Sequence, residues 1–210
     1  MKQTIKHAII VSHPDHNSFA LSVAIRYAEI VLALGHEALV RDLYRLGFDP
    51  VLRTEERRGT PASAVTREWA ALGKPDVFVL VYPIWFGGPP AILKGYIDRV
   101  FGAGRSRGLG GEGGAGELLA GKHLVSLTSS GSRRTWLDEK GVLSSLRTVY
   151  DRYFAEVFGF AETHHYHLES VTPDITAQEV GAHFAKVEEA ARDVTRRILG
   201  GPPDRDPNRH

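Results

Sequence analysis

Five short apolar runs punctuate the chain and read as strands: Ile5 to Val11, His36 to Asp42, Val77 to Val81, His123 to Thr128 and Phe160 to His167. Between them, apolar residues recur at helical spacing. Ala20, Val23, Ala24, Tyr27, Ala28, Val31 and Leu34 line one face of a segment that Asn17 or Ser18 caps and Gly35 closes. Helices are also predicted over Pro61 to Gly73, Pro89 to Phe101, most of Leu137 to Phe158, and Thr176 to Leu199. The last has Thr176 and Glu179 at capping-box spacing. Leu43 to Leu52 reads as a loop.

Strand and helix alternate throughout, which implies a parallel sheet with helices on both faces. The expected fold is α/β: a flavodoxin-like three-layer sandwich with a five-stranded parallel sheet in the order 2-1-3-4-5. Residues 1–199 are read as one domain and 200–210 as a disordered tail. In such a sheet a ligand binds where strands 1 and 3 diverge, beyond their carboxyl ends. Three loops should therefore converge: Ser12 to Ala20, Tyr82 to Gly88, and Thr128 to Trp136.

Composition narrows the function. With 210 residues and 42% hydrophobic content, one domain with a sizeable core is expected. The 26 basic and 25 acidic side chains balance, so there is no field for nucleic acid and no acidic tail. No run reaches the length of a membrane span, and no signal segment opens the chain. Cysteine is absent, which removes disulfides, Cys metal sites and Cys nucleophiles, and leaves the cytoplasm as the default compartment.

The stretch from Val81 to Phe101 carries the strongest chemical signal. An apolar strand ends in Pro83-Ile84-Trp85-Phe86-Gly87-Gly88, and a helix begins at a proline. Two readings stand: a buried corner whose aromatics fill core, or a wall for a flat, polar-edged ligand approached closely by glycine backbone. The first loop supplies hydroxyl, amide and imidazole donors at a helix N-terminus, where an anion is favoured. The fourth-strand loop, Thr128-Ser129-Ser130-Gly131-Ser132, is dense in small donors, which suits either a ring's polar edge or a solvated turn.

Other patterns are read as decoys. Gly108 to Gly113 satisfies GxGxxG but follows a helix, so it is read as a loop, or a lid, within the glycine-rich Gly102 to Gly121 stretch. Gly116 to Lys122 mimics a phosphate loop, yet His123 replaces its Ser/Thr and a strand follows. His13, Asp15 and His16, and His164, His165 and His167, are not read as metal sites, and no metal is expected. Arg133 and Arg134 are read as solvated, or as attracting the phosphates of a nicotinamide cofactor.

Tyr82 to Phe86 with Pro90 to Phe101 resembles the signature of the NAD(P)H:quinone oxidoreductases, a family of flavodoxin-like flavoproteins. The family includes ancillary subunits of glutathione-gated potassium efflux. Ser12-His13, Asn17-Ser18-Phe19, Asp42-Leu43-Tyr44, Phe48 to Val51, Thr128 to Gly131 and Val157 to Phe160 also match, so that the resemblance covers about residues 4–199. It implies bound FAD or FMN. His13, Asn17, Ser18, Phe19 and Ala20 would hold the phosphate end. Pro83, Ile84, Trp85 and Phe86 would line the isoalloxazine, and Thr128, Ser129, Ser130, Gly131 and Trp136 would meet its far edge.

The resemblance also implies a homodimer and a two-electron ping-pong reaction, in which NAD(P)H passes a hydride to flavin N5 and a quinone then takes it. The alternative it implies is a flavin-binding regulatory subunit in peripheral contact with a potassium transporter. The chain departs from the family at the groups proposed there to relay charge. Trp136 stands where some members have Tyr, and Val142 falls near their His. An aromatic pair after the third-loop helix is replaced by Arg107 and Leu109. The side-chain proton donor is therefore unassigned, with Trp136 and His165 as candidates.

Overall fold

The computed structural model describes residues 3–102 and 119–200. The lid reading of the glycine-rich loop, the Gly108 to Gly113 pattern, Arg107, Leu109 and the disordered tail beyond Gly200 fall outside those residues.

Five strands form one parallel sheet: β1 (Lys6–Val11), β2 (Glu37–Asp42), β3 (Val77–Pro83), β4 (His123–Ser129) and β5 (Glu162–Leu168), in the order β2-β1-β3-β4-β5. This is the predicted topology. Every residue of β3 is buried and only one end residue of β1 and of β4 is not, as expected of strands covered on both faces. β3 runs two residues past its predicted end, because Tyr82 and Pro83 pair with Thr128 and Ser129.

Helices α1 (Phe19–Ala33) and α8 (Ala177–Ile198) cover one face. There Val11, Val79, Val81, Val125 and Leu127 meet Ala24, Tyr27, Val31, Val187, Ala191 and Val194. Further described helices are α2 (Thr54–Arg57), α3 (Ser63–Leu72), α4 (Ala91–Tyr96), α5 (Arg134–Glu139), α6 (Val142–Leu146) and α7 (Phe154–Phe158). The second face packs Ile10, Phe78, Leu80, Tyr82 and Leu124 against Leu72, Leu93, Tyr96, Phe101, Phe154 and Phe158. Alternation along each strand sends odd and even positions to different helices.

Three local features differ from the predicted elements. Arg53 to Arg58, which falls in no predicted element, contains the short helix α2, whose Glu56 is buried. The predicted Leu137–Phe158 helix begins earlier, at Arg134, and breaks at Gly141, which adopts φ +69°. A π-helical segment, Arg147–Tyr153, joins α6 to α7, and another, Ile97–Phe101, extends α4. No described helix is long and apolar enough to cross a membrane.

Buried ion pairs anchor the helix that follows the aromatic turn. Arg99 reaches Glu56 at 2.9 Å, donates to the Asp49 carbonyl, and lies over the Phe48 ring at 5.4 Å. Glu68 accepts from both Arg41 and Tyr96. The signature positions Tyr96 and Arg99 are thus structural tethers, not ligand contacts. Gly95 permits the tightest approach, since a Cβ there would lie 2.3 Å from Pro50.

Candidate functional site

The three predicted loops leave the carboxyl ends of β1, β3 and β4, which are neighbours or next neighbours in the sheet. Backbone bonds tie them together. Ser12 N–H donates to the Val81 carbonyl (3.1 Å), and Ile84 N–H donates to the Ser129 carbonyl (2.7 Å).

The aromatic turn is open to solvent, not a buried corner. Trp85 and Gly88 exchange backbone hydrogen bonds of 2.9 and 3.0 Å around Phe86 (φ +50°) and Gly87 (φ +83°). Positive φ at both central residues is the pattern of a type I′ turn. Gly87 adopts it freely, whereas Phe86 carries a strain of about 1–2 kcal/mol. The turn presents a Trp85 ring that is 39% exposed and a Phe86 ring that is fully exposed. A planar ligand covering about 100 Å² of this apolar surface would gain roughly 2–3 kcal/mol.

The first loop forms a donor-rich turn beside that wall. His13 packs edge-on to Trp85, with centroids 5.7 Å apart. Its Nδ1 accepts from Asp15 N–H at 3.0 Å, so neutral His13 carries its proton on Nε2 and can donate. Ser18 caps α1, its Oγ accepting from Leu21 N–H at 3.2 Å, and leaves its own hydroxyl proton to donate. The Phe19 and Ala20 N–H groups have no acceptor within the helix, and no acidic side chain stands in its first turn. The Phe19 ring itself packs on Phe184 and His183. At Phe19 the backbone N–H, and not the ring, is therefore left open. Asn17, exposed, is held by Asp15, which accepts from its N–H at 2.9 Å. Sequence reading missed Arg45, which donates to His16 Nδ1 at 3.3 Å and brings a cation to this loop from the turn after β2. Only tertiary folding pairs residues 29 apart, so no local pattern marked it.

The fourth loop is more closed than its composition suggested. Thr128 is fully buried, its backbone lies in the ladder between β3 and β5, and its hydroxyl is engaged beneath the loop, so the predicted ligand contact is not open at this residue. Ser129 gives its carbonyl to Ile84, and Ser130 N–H donates to the Leu168 carbonyl. Gly131 has ordinary contacts only, with Val171 O 3.6 Å from a would-be Cβ. Trp136, on α5, is half exposed. Arg134 pairs with Asp138 at 3.4 Å, while Arg133 is exposed.

The histidines of β5 divide between the two faces of the sheet. His165 and His167 point to the second face, where Asp151, from the π-helical segment, meets His165 Nδ1 at 2.9 Å. His165 and Asp151 side chains are 4% and 7% exposed, so His165 touches no substrate directly. Burial first, and then the charge of His165, pushes the His167 imidazole down to about 4. Sequence reading also missed Asp151. Its signal is an acid among Leu143, Leu146, Phe154 and Phe158 on the apolar stripe of its helix.

His164 turns to the other face. There His123, Glu162 and His164 hold possible ligand atoms within 4.8 Å of one another at the amino ends of β4 and β5, with Arg197 3.8 Å from the Glu162 carboxylate. This group lies at the opposite end of the strands from the three loops.

Ser12 leaves a buried, unpartnered hydroxyl at the carboxyl end of β1. That orphan, the exposed aromatic turn and the acid-free helix N-terminus fit a flat cofactor with a phosphate tail.

The family model for the flavodoxin-like fold matches residues 5–191. An uncharacterized NAD(P)H oxidoreductase of Haemophilus influenzae is 35% identical over 150 residues, covering 68% of this chain and 72% of the relative. The NAD(P)H dehydrogenase [quinone] 1 of Cavia porcellus is 26% identical over 162 residues, covering 67% of this chain; the chain spans only 58% of that relative's length. Among solved structures, an NAD(P)H:quinone oxidoreductase from Methanothermobacter marburgensis superposes with a TM-score of 0.78 at 24% identity, over 92% of this chain and 98% of its own. An FMN-dependent NADH-azoreductase from Bacillus anthracis, solved with FMN, gives 0.62 at 18% identity over 91% and 99%. These two share the fold. By the extent of the family match and the identity to its relatives, the chain belongs to the flavodoxin-like family, on the side of its NAD(P)H oxidoreductases.

Proposed function

We propose that this protein is a flavin-dependent NAD(P)H:quinone oxidoreductase. The observation that carries the reading is the Trp85–Gly88 turn, which raises two aromatic rings into solvent beside the acid-free N-terminus of α1. The names of the relatives support the nicotinamide and quinone, and the FMN of the azoreductase supports the flavin. Bound flavin would supply two-electron redox chemistry, accepting a hydride from NAD(P)H and yielding it to a quinone in ping-pong order.

The chain's own residues do the rest. Phe19 and Ala20 N–H groups, the Ser18 hydroxyl, His13 Nε2–H, the Asn17 amide and the Arg45 cation would bind the phosphate end. The Trp85 and Phe86 rings, with the backbone of Pro83 and Ile84, would orient the ring system and exclude water from one side. The exposed Gly131 N–H, at the end of the fourth loop, would bond its polar edge and stabilise negative charge there. Trp136 would border the same edge. The family resemblance extends the reading to a cytoplasmic homodimer.

Purified protein titrated with FMN and then FAD should quench flavin fluorescence. Anaerobic NADH or NADPH should then bleach the bound flavin, and a quinone should restore it. Protein that binds neither flavin refutes the reading. Bound flavin that neither nicotinamide reduces removes the reductase activity.

A further inference from the structure

Beneath the fourth loop runs a continuous row of hydrogen-bonding groups. Asp151 Oδ2 meets His165 Nδ1 at 2.9 Å, and His165 Nε2 meets Thr128 Oγ1 at 3.0 Å. Thr128 Oγ1 meets His167 Nδ1 at 3.0 Å, and His167 Nε2 meets Ser130 Oγ at 3.2 Å. Ser130 Oγ also lies 3.1 Å from the Ser132 carbonyl. The inner end is buried and the outer end is the half-buried Ser130 at the carboxyl end of β4. Asp151 sits in a π-helical segment, a distortion frequent at functional sites.

We propose that Asp151, His165, Thr128, His167 and Ser130 form a buried proton wire that delivers one proton to the polar edge of a planar ring bound over the Trp85–Gly88 turn. The wire itself stands on the geometry, and its acceptor rests on the flavin reading above.

The donors and acceptors close in two arrangements. In the first, His165 carries two protons. Its Nδ1–H donates to Asp151 and its Nε2–H to Thr128. The Thr128 hydroxyl donates to His167 Nδ1, His167 Nε2–H to Ser130 Oγ, and the Ser130 hydroxyl to the Ser132 carbonyl. Each hydrogen then has one acceptor. Delivery shifts every proton one place outward. The His165 Nε2–H bond breaks as a Thr128 O–H bond forms. The former Thr128 proton moves to His167 Nδ1, the His167 Nε2 proton moves to Ser130, and the original Ser130 proton leaves to an anionic nitrogen or oxygen of the ring. No electron moves. His165 is left neutral, and each of the three links from His165 to Ser130 now donates in the reverse direction.

The surroundings suit this role. Asp151 also accepts from Ser126 Oγ at 3.2 Å, so its buried carboxylate holds hydrogen bonds from two partners. Tyr82, with a buried and unpartnered hydroxyl, stands near Asp151 and Tyr150; burial and those charges keep its phenol protonated. Glu169, Arg134 and Asp138 face His167, which its burial holds neutral in both arrangements.

The arrangements make a distinctive prediction. His167 stays neutral but moves its proton from Nε2 to Nδ1 as His165 loses its second proton. Two-bond ¹H–¹⁵N spectra of the purified full chain, titrated with acid, should show the His167 tautomer change at the same midpoint as His165 ionisation. Thr128→Val should abolish that coincidence. A His167 that keeps one tautomer across the His165 titration overturns the wire, and so does unchanged coupling in Thr128→Val. If that variant does not fold, the wild-type titration alone decides. In FMN-loaded protein, the pH dependence of the midpoint potential should bend at the His165 midpoint, and Thr128→Val should remove the bend. A potential with no bend overturns delivery to the ring. Protein that binds no flavin fails the functional reading and leaves the tautomer result to judge the wire.

Discussion

Replacing glycine by alanine within a helix should have opposite signs at two positions of this chain. At Gly181, in α8, a new Cβ meets nothing within 4 Å, so the helix-propensity gain of about 1 kcal/mol is realised in full. At Gly95, in α4, the same gain competes with a clash. The Cβ would lie 2.3 Å from both the Cβ and the carbonyl oxygen of Pro50, and 2.5 Å from its Cα. That is about 0.7 Å inside the 3.0 Å limit, against backbone that cannot rotate away. Pro50 cannot retreat easily either. Arg99 holds the Asp49 carbonyl, and Asp49 Oδ1 accepts from Val51 N–H at 3.0 Å. Overpacking costs about 1–3 kcal/mol or more, so the clash outweighs the propensity gain. A 2.3 Å approach to backbone takes the upper end of that range, so Gly95→Ala should lose roughly 2 kcal/mol net and Gly181→Ala should gain about 0.5–1. Urea unfolding followed by far-UV circular dichroism reads both, and thermal midpoints should move by about 2–4 °C per kcal/mol. A Gly95→Ala protein as stable as the parent would refute the claim that close approach to Pro50 dictates this glycine.

Three further predictions follow from the geometry. Phe86→Gly should relieve the left-handed strain and raise stability by about 1 kcal/mol, while weakening FMN or FAD binding about tenfold or more; a variant that binds flavin as tightly as the parent would show that the ring is no wall. Removing the guanidinium with Arg99→Met leaves Glu56 a buried, unpaired carboxylate, and should cost about 3–5 kcal/mol in urea unfolding, with little loss counting against the tether. Acidification from pH 7 to 5 should lower stability, because burial, followed by the charges of His36 and His123, pushes His7 down to about 3. The unfolded chain takes up that proton near pH 6.5 and the native state does not. Stability is therefore full above about 6.5, and on the order of 2 kcal/mol is lost by pH 5 at this site alone. A urea midpoint unchanged between pH 7 and 5 contradicts that assignment, and His7→Gln should flatten the slope.

Sequence by itself determined the architecture. Alternating strands and helices left few topologies open, because parallel strands require crossover helices and buried strands require apolar residues at nearly every position. It also marked which three loops converge, Thr176 as a helix cap, and the α1 cap as either Asn17 or Ser18, since those signals are local; the structure chose Ser18. What local pattern could not decide was direction and partnership. The Trp85-Phe86 pair read equally as core or as an exposed wall until the turn's positive φ values set it outward. Thr128 looked like a free donor until its hydroxyl was found between two histidines. Arg45 reached the first loop, and Asp151 reached His165, only because the fold brings residues 29 and 14 positions apart into contact. A side chain's type is written in the chain, but the face it turns to and the group it meets follow from packing that the whole sheet imposes.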